Sequence, residues 1–449
     1  MDQILAKYRD ARLPRYTSYP TAPHFTPDIT ASDYTAWLGA VGPDQKLSLY
    51  LHIPFCSQMC WYCGCHTKVV NNYAPVASYV ALLRREIEML AAALPVRREI
   101  GHIHWGGGTP NLLSDEDFAG LMALLREHFD LAPDAEVAVE VDPRRLGKTQ
   151  ARALAAAGVN RASLGVQDFN SDVQEAINRV QPFELVESCV ADLRATGISS
   201  INFDLLYGLP GQDLTKLERN LRLSAALRPD RIALFGYAHV PWMKKHQRLI
   251  DETTLPDGPA RVKQAAFSSK MLAWLGYVPV GLDHFALPDD LMAKALESGK
   301  LRRNFQGYTL DSAEVLIGLG VSAIGSLPLG YIQNNADFVA YAKAIREGKF
   351  AVARGRELSN DDRLRRRAIE ELMCQGELDL VGLCEAGHIT ADSFDKELTA
   401  LKPLIADGLA RVDGRKITVT EQGRPLVRAI CAVFDRYLEQ SETRHSRAI

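Results

Sequence analysis

The sequence predicts an α/β protein on a parallel sheet, a partial or complete (β/α) barrel in preference to a two-layer dinucleotide fold. Three observations carry that expectation. From about residue 47, short apolar runs of strand length alternate with segments whose apolar residues recur at helical spacing. Such βα repetition makes successive strands parallel through right-handed crossovers, and six or seven units suit a barrel. The conspicuous polar residues fall just after the apolar runs, where a parallel sheet places its chemistry. Composition agrees: 449 residues, 47% hydrophobic and 24% charged, can bury a large core and contain no low-complexity stretch.

Leu47-Ser48-Leu49-Tyr50-Leu51-His52-Ile53 reads as the first strand, and Val76, Val80, Leu83, Ile87, Leu90 and Leu94 follow at helical spacing. His102-Ile103-His104-Trp105 is the second strand and runs into Gly106-Gly107-Gly108-Thr109-Pro110. Ser114 and Asp117 then mark a helix start whose buried face holds Phe118, Leu121, Met122 and Leu125. Further strands are expected over 136–141, 162–166, 201–206, 232–237 and 278–282. Their ends bring Cys56, the glycine run, Glu140 with Asp142, Gln167 with Asp168, Asp204, His239, and Asp283 with His284 to one rim. Any one of these alone reads equally well as a solvated strand end.

The stretch 291–357 is glycine-punctuated and apolar, notably Asn304 to Thr309 and Gly318 to Gly325, and is expected to supply a last strand and loop beside the rim. Beyond it, Arg363 to Arg367, Leu401 to Ile405, Leu409 to Val419 and Pro425 to Leu438 suggest helix, helix, hairpin, helix, a winged-helix-like module. Its basic run is interleaved with Asp361, Asp362, Glu370 and Glu371, as on a solvated helix face, so a cap over the barrel mouth is favoured over a DNA reader. The expected organisation is an arm and flap over 1–46, the barrel over 47–290, a barrel-completing segment over 291–357 and a mainly helical C-terminal capping domain over 358–449.

With 52 Lys and Arg against 55 Asp and Glu, the net charge is −3. No global positive field draws nucleic acid or anionic lipid, so any anion site must be local. The N-terminus, Met1-Asp2-Gln3-Ile4-Leu5-Ala6-Lys7, lacks the apolar core of a signal peptide, and no apolar run approaches the ~18 residues of a membrane span. A cytoplasmic chain is expected. In that reducing compartment four of the eight cysteines, Cys56, Cys60, Cys63 and Cys65, fall in one ten-residue window. They point to a metal or redox role rather than to disulfides. Cys189, Cys374, Cys384 and Cys431 are scattered and read as buried small hydrophobes.

The cluster spacing is C-x3-C-x2-C-x-C. Structural zinc usually takes two pairs of ligands a dozen or more residues apart, so that two loops can close a tetrahedron. Three thiolates on one loop can instead hold three corners of a [4Fe-4S] cube and leave the fourth iron open for chemistry. On spacing alone zinc, a redox thiol cluster and an iron–sulfur cluster all remain open.

The neighbours of the motif extend it. Tyr62 directly precedes the third cysteine and the glycine run follows the second strand, a context that resembles the radical S-adenosylmethionine (SAM) superfamily. Within it, His52-Ile53-Pro54-Phe55-Cys56, His104 to Pro110, Glu140-Val141-Asp142-Pro143, Gly165-Val166-Gln167-Asp168-Phe169 and Asp204-Leu205-Leu206-Tyr207-Gly208-Leu209-Pro210 resemble the coproporphyrinogen-type branch. Pro14-Arg15-Tyr16-Thr17-Ser18-Tyr19-Pro20-Thr21, Cys63-Gly64-Cys65 and Asn304-Phe305-Gln306-Gly307-Tyr308-Thr309 resemble the oxygen-independent coproporphyrinogen III oxidases in particular. The matches span essentially the whole chain.

That resemblance implies an α/β fold, a partial (β/α)6-type radical SAM barrel. It implies a [4Fe-4S] cluster on Cys56, Cys60 and Cys63, and two SAM molecules among Tyr50, Tyr62, Gly107, Gly108, Thr109, Glu140, Gln167, Arg179, Asp204, Ala238 and Ile324. Tyr50 and Cys65 match catalytic positions, and Cys65 is not a cluster ligand. Glu140 and Asp204 can accept hydrogen bonds from ribose or ammonium groups, Arg179 can pair with a carboxylate, and backbone at Gly107 and Gly108 can approach a ligand closely. The implied reaction is oxidative decarboxylation of two propionates of coproporphyrinogen III to the vinyls of protoporphyrinogen IX, in anaerobic haem biosynthesis. It implies a one-electron reductant such as flavodoxin or ferredoxin, a terminal electron acceptor the sequence does not identify, and a monomer without nucleic acid.

Four substrate carboxylates call for cations at the mouth despite the net charge, and Arg15, Arg302 and Arg303 are the residues expected to supply them. The rival readings are a haem-binding chaperone and a haem-ring-opening enzyme of the same superfamily. Cys65 and the two outer motifs argue against the chaperone. A zinc-stabilised nucleic-acid adaptor would need a basic field the chain lacks.

Overall fold

The structure is a computed structural model that describes residues 7–8 and 11–438. Met1 to Ala6, on which the expectation of no leader rests, lie outside the described residues. Six parallel strands stand side by side in chain order: β1 (Leu47–Ile53), β2 (Glu99–Gly107), β3 (Asp130–Val141), β4 (Arg161–Gln167), β5 (Ser200–Tyr207) and β6 (Arg231–Gly236). Helices Ala74–Ala93, Asp115–His128, Lys148–Ala156, Phe183–Ala195, Leu214–Ala226 and Gly258–Trp274 return the chain after each strand in turn.

The period-two pattern of β1 explains how one strand serves both core and site. Leu47, Leu49, Leu51 and Ile53 pack into the main core with Val76, Val80, Leu83 and Ile87 of the first helix, while Ser48, Tyr50 and His52 alternate to the other face. The second helix starts where the sequence indicates: Ser114 Oγ accepts from the Asp117 N–H at 3.1 Å. The Asp117 carboxylate does not close a capping box. It accepts instead from Tyr73 Oη at 2.6 Å and so ties two helices together.

The sheet does not end at β1 and β6. Val315–Leu319 pairs parallel on the free side of β1, and Ile324–Leu327, Gly330–Asn334 and Val352–Glu357 continue it antiparallel. Beyond β6 come His284–Ala286 and then Val278–Val280, both antiparallel. The resulting twelve-stranded sheet runs edge to edge without closing, so the barrel is partial. A seventh parallel strand over 278–282 is corrected to this short antiparallel edge. Pro279 has no N–H for a central ladder and suits an edge strand. Asn304 to Thr309 forms the turn and second strand of a hairpin, Arg302–Asn304 with Gly307–Thr309.

The C-terminal part packs Asn360–Gln375, Leu380–Ala386, Asp395–Ala400, Lys402–Ala406 and Val427–Ala432 against a three-stranded sheet of Glu377–Asp379, Lys416–Val419 and Ala410–Asp413. Leu372, Leu383, Phe394, Leu401, Ile417 and Ile430 form its core, and Tyr16 and Tyr19 of the N-terminal arm are buried in the same cluster. Tyr16 Oη donates to Asp435 at 3.1 Å and Tyr331 Oη donates to the Tyr19 carbonyl at 3.1 Å. Tyr16 and Tyr19 thus fasten their part of the arm by packing and hydrogen bonds. No helix among the described residues is long and apolar enough to cross a membrane.

Candidate functional site

β1 ends at Ile53, and the loop after it carries all four clustered cysteines as free thiols. Each of the first three sulfurs meets a hydrogen-bond donor. Cys56 Sγ accepts from Thr67 Oγ1 and Thr109 Oγ1, each at 3.2 Å. Cys60 Sγ faces the Arg179 guanidinium at 3.4 Å and the Arg144 guanidinium at 3.6 Å. Cys63 Sγ accepts from the Cys65 N–H at 3.3 Å. Such donors stabilise sulfur that carries negative charge. The Cys65 side-chain hydrogen bond, joined by its N–H and the charges of His246 and Lys244, holds Cys63 below the usual thiol range. Three thiols on one loop, each met by a donor, fit three corners of a [4Fe-4S] cluster. Among the described residues no three His, Cys, Asp or Glu side chains are gathered to hold a single ion.

A segment after β6 clamps this loop from the far side of the sequence. Lys244 Nζ donates to the Cys65 carbonyl at 2.9 Å, and His246 Nε2 donates to that of Cys63 at 2.8 Å. Gln247 Nε2 donates to the carbonyls of Tyr62 at 2.9 Å and Ala238 at 3.3 Å, joining two positions from opposite ends of the barrel.

The rim beside the loop is polar and pre-ordered. Glu140, at the end of β3, accepts from the Gly107 N–H at 3.0 Å and meets His104 Nε2 at 3.3 Å. Tyr50 stacks on His104 with centroids 5.9 Å apart. His52 Nε2 donates to the His66 carbonyl at 2.9 Å, so its Nδ1 is the acceptor for Tyr50 Oη at 3.0 Å. The glycines are also required by packing. Gly107 has φ +118°, and a Cβ there would lie 2.7 Å from the His52 ring; one on Gly108 would lie 2.6 Å from the Phe55 carbonyl. Packing of β2 against β1 and the cysteine loop leaves no room for a side chain at either position.

Asp204 on β5 accepts from Ser163 Oγ and Asn202 Nδ2, each at 2.9 Å, and burial together with the charge of Glu140 pushes it up to about 6. Arg179 donates to the Gly165 carbonyl at 2.6 Å and pairs with Asp142 at 3.5 Å. Gln167 sits at φ +66° on a bulge of β4, a strained conformation of the kind that concentrates at functional sites. Its neighbour Asp168 leaves the rim and is satisfied by Asn170 and Gln212. Ile324 carries its carbonyl against Gly318, the residue paired with Tyr50 across the sheet.

Two cavities are lined by residues of these strands and the segments beside them. The inner one, about 190 Å³, is lined by Glu140, Ser163, Asp204, His284, Gln306 and Tyr308 among others. The outer one, about 490 Å³, is lined by Arg12, Arg15, Arg261, Arg303, Arg424 and Arg428, with aromatic walls from Tyr207, Phe235, Tyr237 and Trp242. Asp283 is its single acidic side chain among the described residues. Arg15 and Arg303 thus reach one cavity as expected, and buried Arg303 Nη1 has no hydrogen-bond partner in the protein. Arg302 does not line this cavity; it lines two other hollows beside Glu370 and Glu371, one of them shared with Arg303. Sequence reasoning missed Arg12, Arg261, Arg424 and Arg428, which come from three distant segments and belong to no local pattern. It also missed Gln247, whose role is visible only through its two carbonyl partners.

Residues 50–223 match the family model of the radical SAM superfamily. Over 446 residues, 99% of either chain, the sequence is 50% identical to the oxygen-independent coproporphyrinogen III oxidase of Bradyrhizobium diazoefficiens. The chain belongs to the oxygen-independent coproporphyrinogen III oxidases. The oxidase of the same name from Pseudomonas aeruginosa is 41% identical over 456 residues, 100% of this chain and 98% of that one. The solved structure of coproporphyrinogen III oxidase (HemN) from Escherichia coli, described as a radical SAM enzyme, superposes with a TM-score of 0.91 at 40% identity, covering 94% of this chain and 98% of that one. Coverage of this extent includes the arm and the C-terminal cap, so this oxidase shares the whole architecture and not the barrel alone. As a radical SAM oxidase it takes a [4Fe-4S] cluster and SAM as cofactors.

Proposed function

We propose that this oxidase converts coproporphyrinogen III to protoporphyrinogen IX by decarboxylating two propionates. The observation that carries the reading is the six-arginine cavity, whose wall residue Tyr237 packs in one cluster with Tyr62 of the cysteine loop. A tetracarboxylate with an apolar ring system needs local cations on aromatic walls, and the net charge of −3 makes their concentration in one cavity selective. When bound, the cluster and SAM supply a 5′-deoxyadenosyl radical that takes a hydrogen atom from a C–H bond.

Cys56, Cys60 and Cys63 would hold the cluster. Tyr50, Tyr62, Gly107, Gly108, Thr109, Glu140, Gln167, Arg179, Asp204, Ala238 and Ile324 would surround two SAM molecules, with Glu140 and Asp204 as acceptors and Arg179 as carboxylate partner. Cys65, with its carbonyl pinned by Lys244, would act with Tyr50 as a catalytic residue. Arg15 and Arg303 would take substrate propionates, joined by Arg12, Arg261, Arg424 and Arg428. The resemblance adds a cytoplasmic monomer served by a one-electron reductant such as flavodoxin or ferredoxin, with a separate terminal electron acceptor.

The test is direct. Protein purified without oxygen, reduced and supplied with SAM and coproporphyrinogen III should contain iron and sulfide and form protoporphyrinogen IX together with 5′-deoxyadenosine. An iron-free protein, or one that cleaves SAM and leaves the porphyrinogen untouched, contradicts the reading.

A further inference from the structure

His284 and Phe235 are the two side chains that line both cavities, so they form the partition between the inner chamber and the arginine-lined one. Antiparallel pairing with Ala233 of β6 sets the position of His284. Its Nδ1 lies 2.7 Å from Asp283 Oδ1. Burial opposes ionisation of Asp283, but the hydrogen bond from His284 and the charges of Arg303 and Arg15 favour it and bring it down to about 2. An ionised carboxylate accepts, so Nδ1 carries the proton and Nε2 is the acceptor of the neutral ring. Phe235 and Tyr308 meet the imidazole edge to face, with centroids at 5.7 and 5.3 Å, and fix its plane. Among the described residues Asp283 is the only hydrogen-bond partner of the His284 side chain.

We propose that His284 is a catalytic residue whose Nε2 accepts a hydrogen bond from a pyrrole N–H of the substrate ring undergoing decarboxylation, with Asp283 as its positioning residue. The proposal rests on the function proposed above and adds what holds the reacting ring. A coproporphyrinogen offers carboxylates at its periphery and N–H donors at its centre. Six arginines line the outer side of the partition and match the carboxylates, whereas Arg161, the arginine of the inner chamber, is already paired with Glu136 at 2.9 Å. At the partition itself Phe235 offers a flat apolar contact and His284 an open acceptor.

That acceptor also lies where charge develops. After hydrogen abstraction, the substrate radical gives one electron to a one-electron acceptor and positive charge spreads over the pyrrole. The bond from the carboxylate carbon to the chain then breaks, CO2 leaves, and its electron pair becomes the C=C of the vinyl and cancels the charge. The N–H proton stays on nitrogen, its acidity highest at the moment Nε2 can stabilise it.

The test uses the reconstituted holoenzyme and three variants, His284→Phe, His284→Gln and Asp283→Asn. It reads anaerobic binding of coproporphyrinogen III without SAM, kcat, and the ratio of protoporphyrinogen to 5′-deoxyadenosine. His284→Phe should weaken binding about tenfold, lower kcat about 10²-fold and lower the ratio. His284→Gln, whose amide oxygen can accept, should recover part of kcat and of the ratio. Asp283→Asn, whose amide can donate to Nδ1 and move the ring proton to Nε2, should lower kcat more than it weakens binding. Wild-type kcat and ratio in His284→Phe, a His284→Gln no better than His284→Phe, or a loss confined to binding each overturns the assignment. A wild type that converts the porphyrinogen beside an unaffected His284→Phe overturns this assignment alone. A wild type inert toward it overturns the functional reading and this one together.

Discussion

The cysteine rim and the arginine cavity share a boundary, yet they are built in opposite ways. The rim is local: Tyr50 to Thr67, the glycine run and three strand ends supply it, and most of its hydrogen bonds join neighbouring strands of one sheet. The cavity is assembled from the N-terminal arm, the helix Gly258–Trp274, the hairpin 302–309 and the C-terminal cap. Arg303 donates to the carbonyls of Arg15 and Tyr16, and Arg428 to that of Leu13, so the parts that bring cations also hold each other in place. A covalent cofactor scaffold can be written into one stretch of chain; a polyanion receptor needs charges converging from many directions.

That contrast can be broken at several strengths. The largest effect belongs to the rim. Cys56→Ser or Cys60→Ser should lose iron and all product formation in a folded protein, whereas Cys65→Ser should keep its iron; iron and sulfide analysis beside circular dichroism separates the two. Equal iron in all three variants would dissolve the distinction between ligands and Cys65.

The cavity should fail more gently and in a different parameter. Arg15→Ala and Arg303→Ala each remove a charge-assisted hydrogen bond worth roughly 1.5–3 kcal/mol and should weaken coproporphyrinogen III binding about tenfold or more. Arg302→Ala should bind as the wild type does and serves as control. Retained iron in all three, measured on the same samples, keeps the two regions apart; unchanged affinity in the first two would remove the cavity from substrate binding.

A smaller effect joins the regions through the backbone. Gly107→Ala forces a Cβ into a left-handed position and against His52, at a cost on the order of 1–2 kcal/mol or more. It should lower Tm by a few degrees and loosen the cluster, read as faster loss of iron to a chelator. An unchanged Tm and iron half-life would mean that the strand end can shift freely.

The smallest lies behind the rim. Glu86, fully buried on the helix Ala74–Ala93, accepts from the Gly320 N–H, Asn334 and Tyr341, each at 2.7 Å, and burial pushes it up to about 7. The folded protein therefore holds a proton that the unfolded chain releases near pH ~4.3. Stability from that neutral carboxyl is complete below ~4.3 and is lost as pH rises through about 7. The Tm of Glu86→Gln relative to wild type should rise between pH 5 and pH 8. A constant difference would show that Glu86 does not titrate in this window.

The same contrast decides what the sequence discloses. The six parallel strands, the cysteine loop and the helices and hairpin of the C-terminal part are legible because alternation, helical spacing and close-set motifs are local signals. The strand Val315–Leu319 is buried on both faces and carries glycine, so it has no period to read. Val278–Val280 looks like another barrel strand until its partner is known. Arg12, Arg261, Arg424 and Arg428 look like any surface arginine, because only the fold turns them toward one volume.

The arginine cavity as a reader of carboxylates is tested most directly by comparing anaerobic binding of coproporphyrinogen III with that of its tetramethyl ester, which has the same ring and no charge. The ester should bind at least about 10²-fold more weakly, since several charge-assisted contacts are lost at once. Equal affinity for the two would contradict the account.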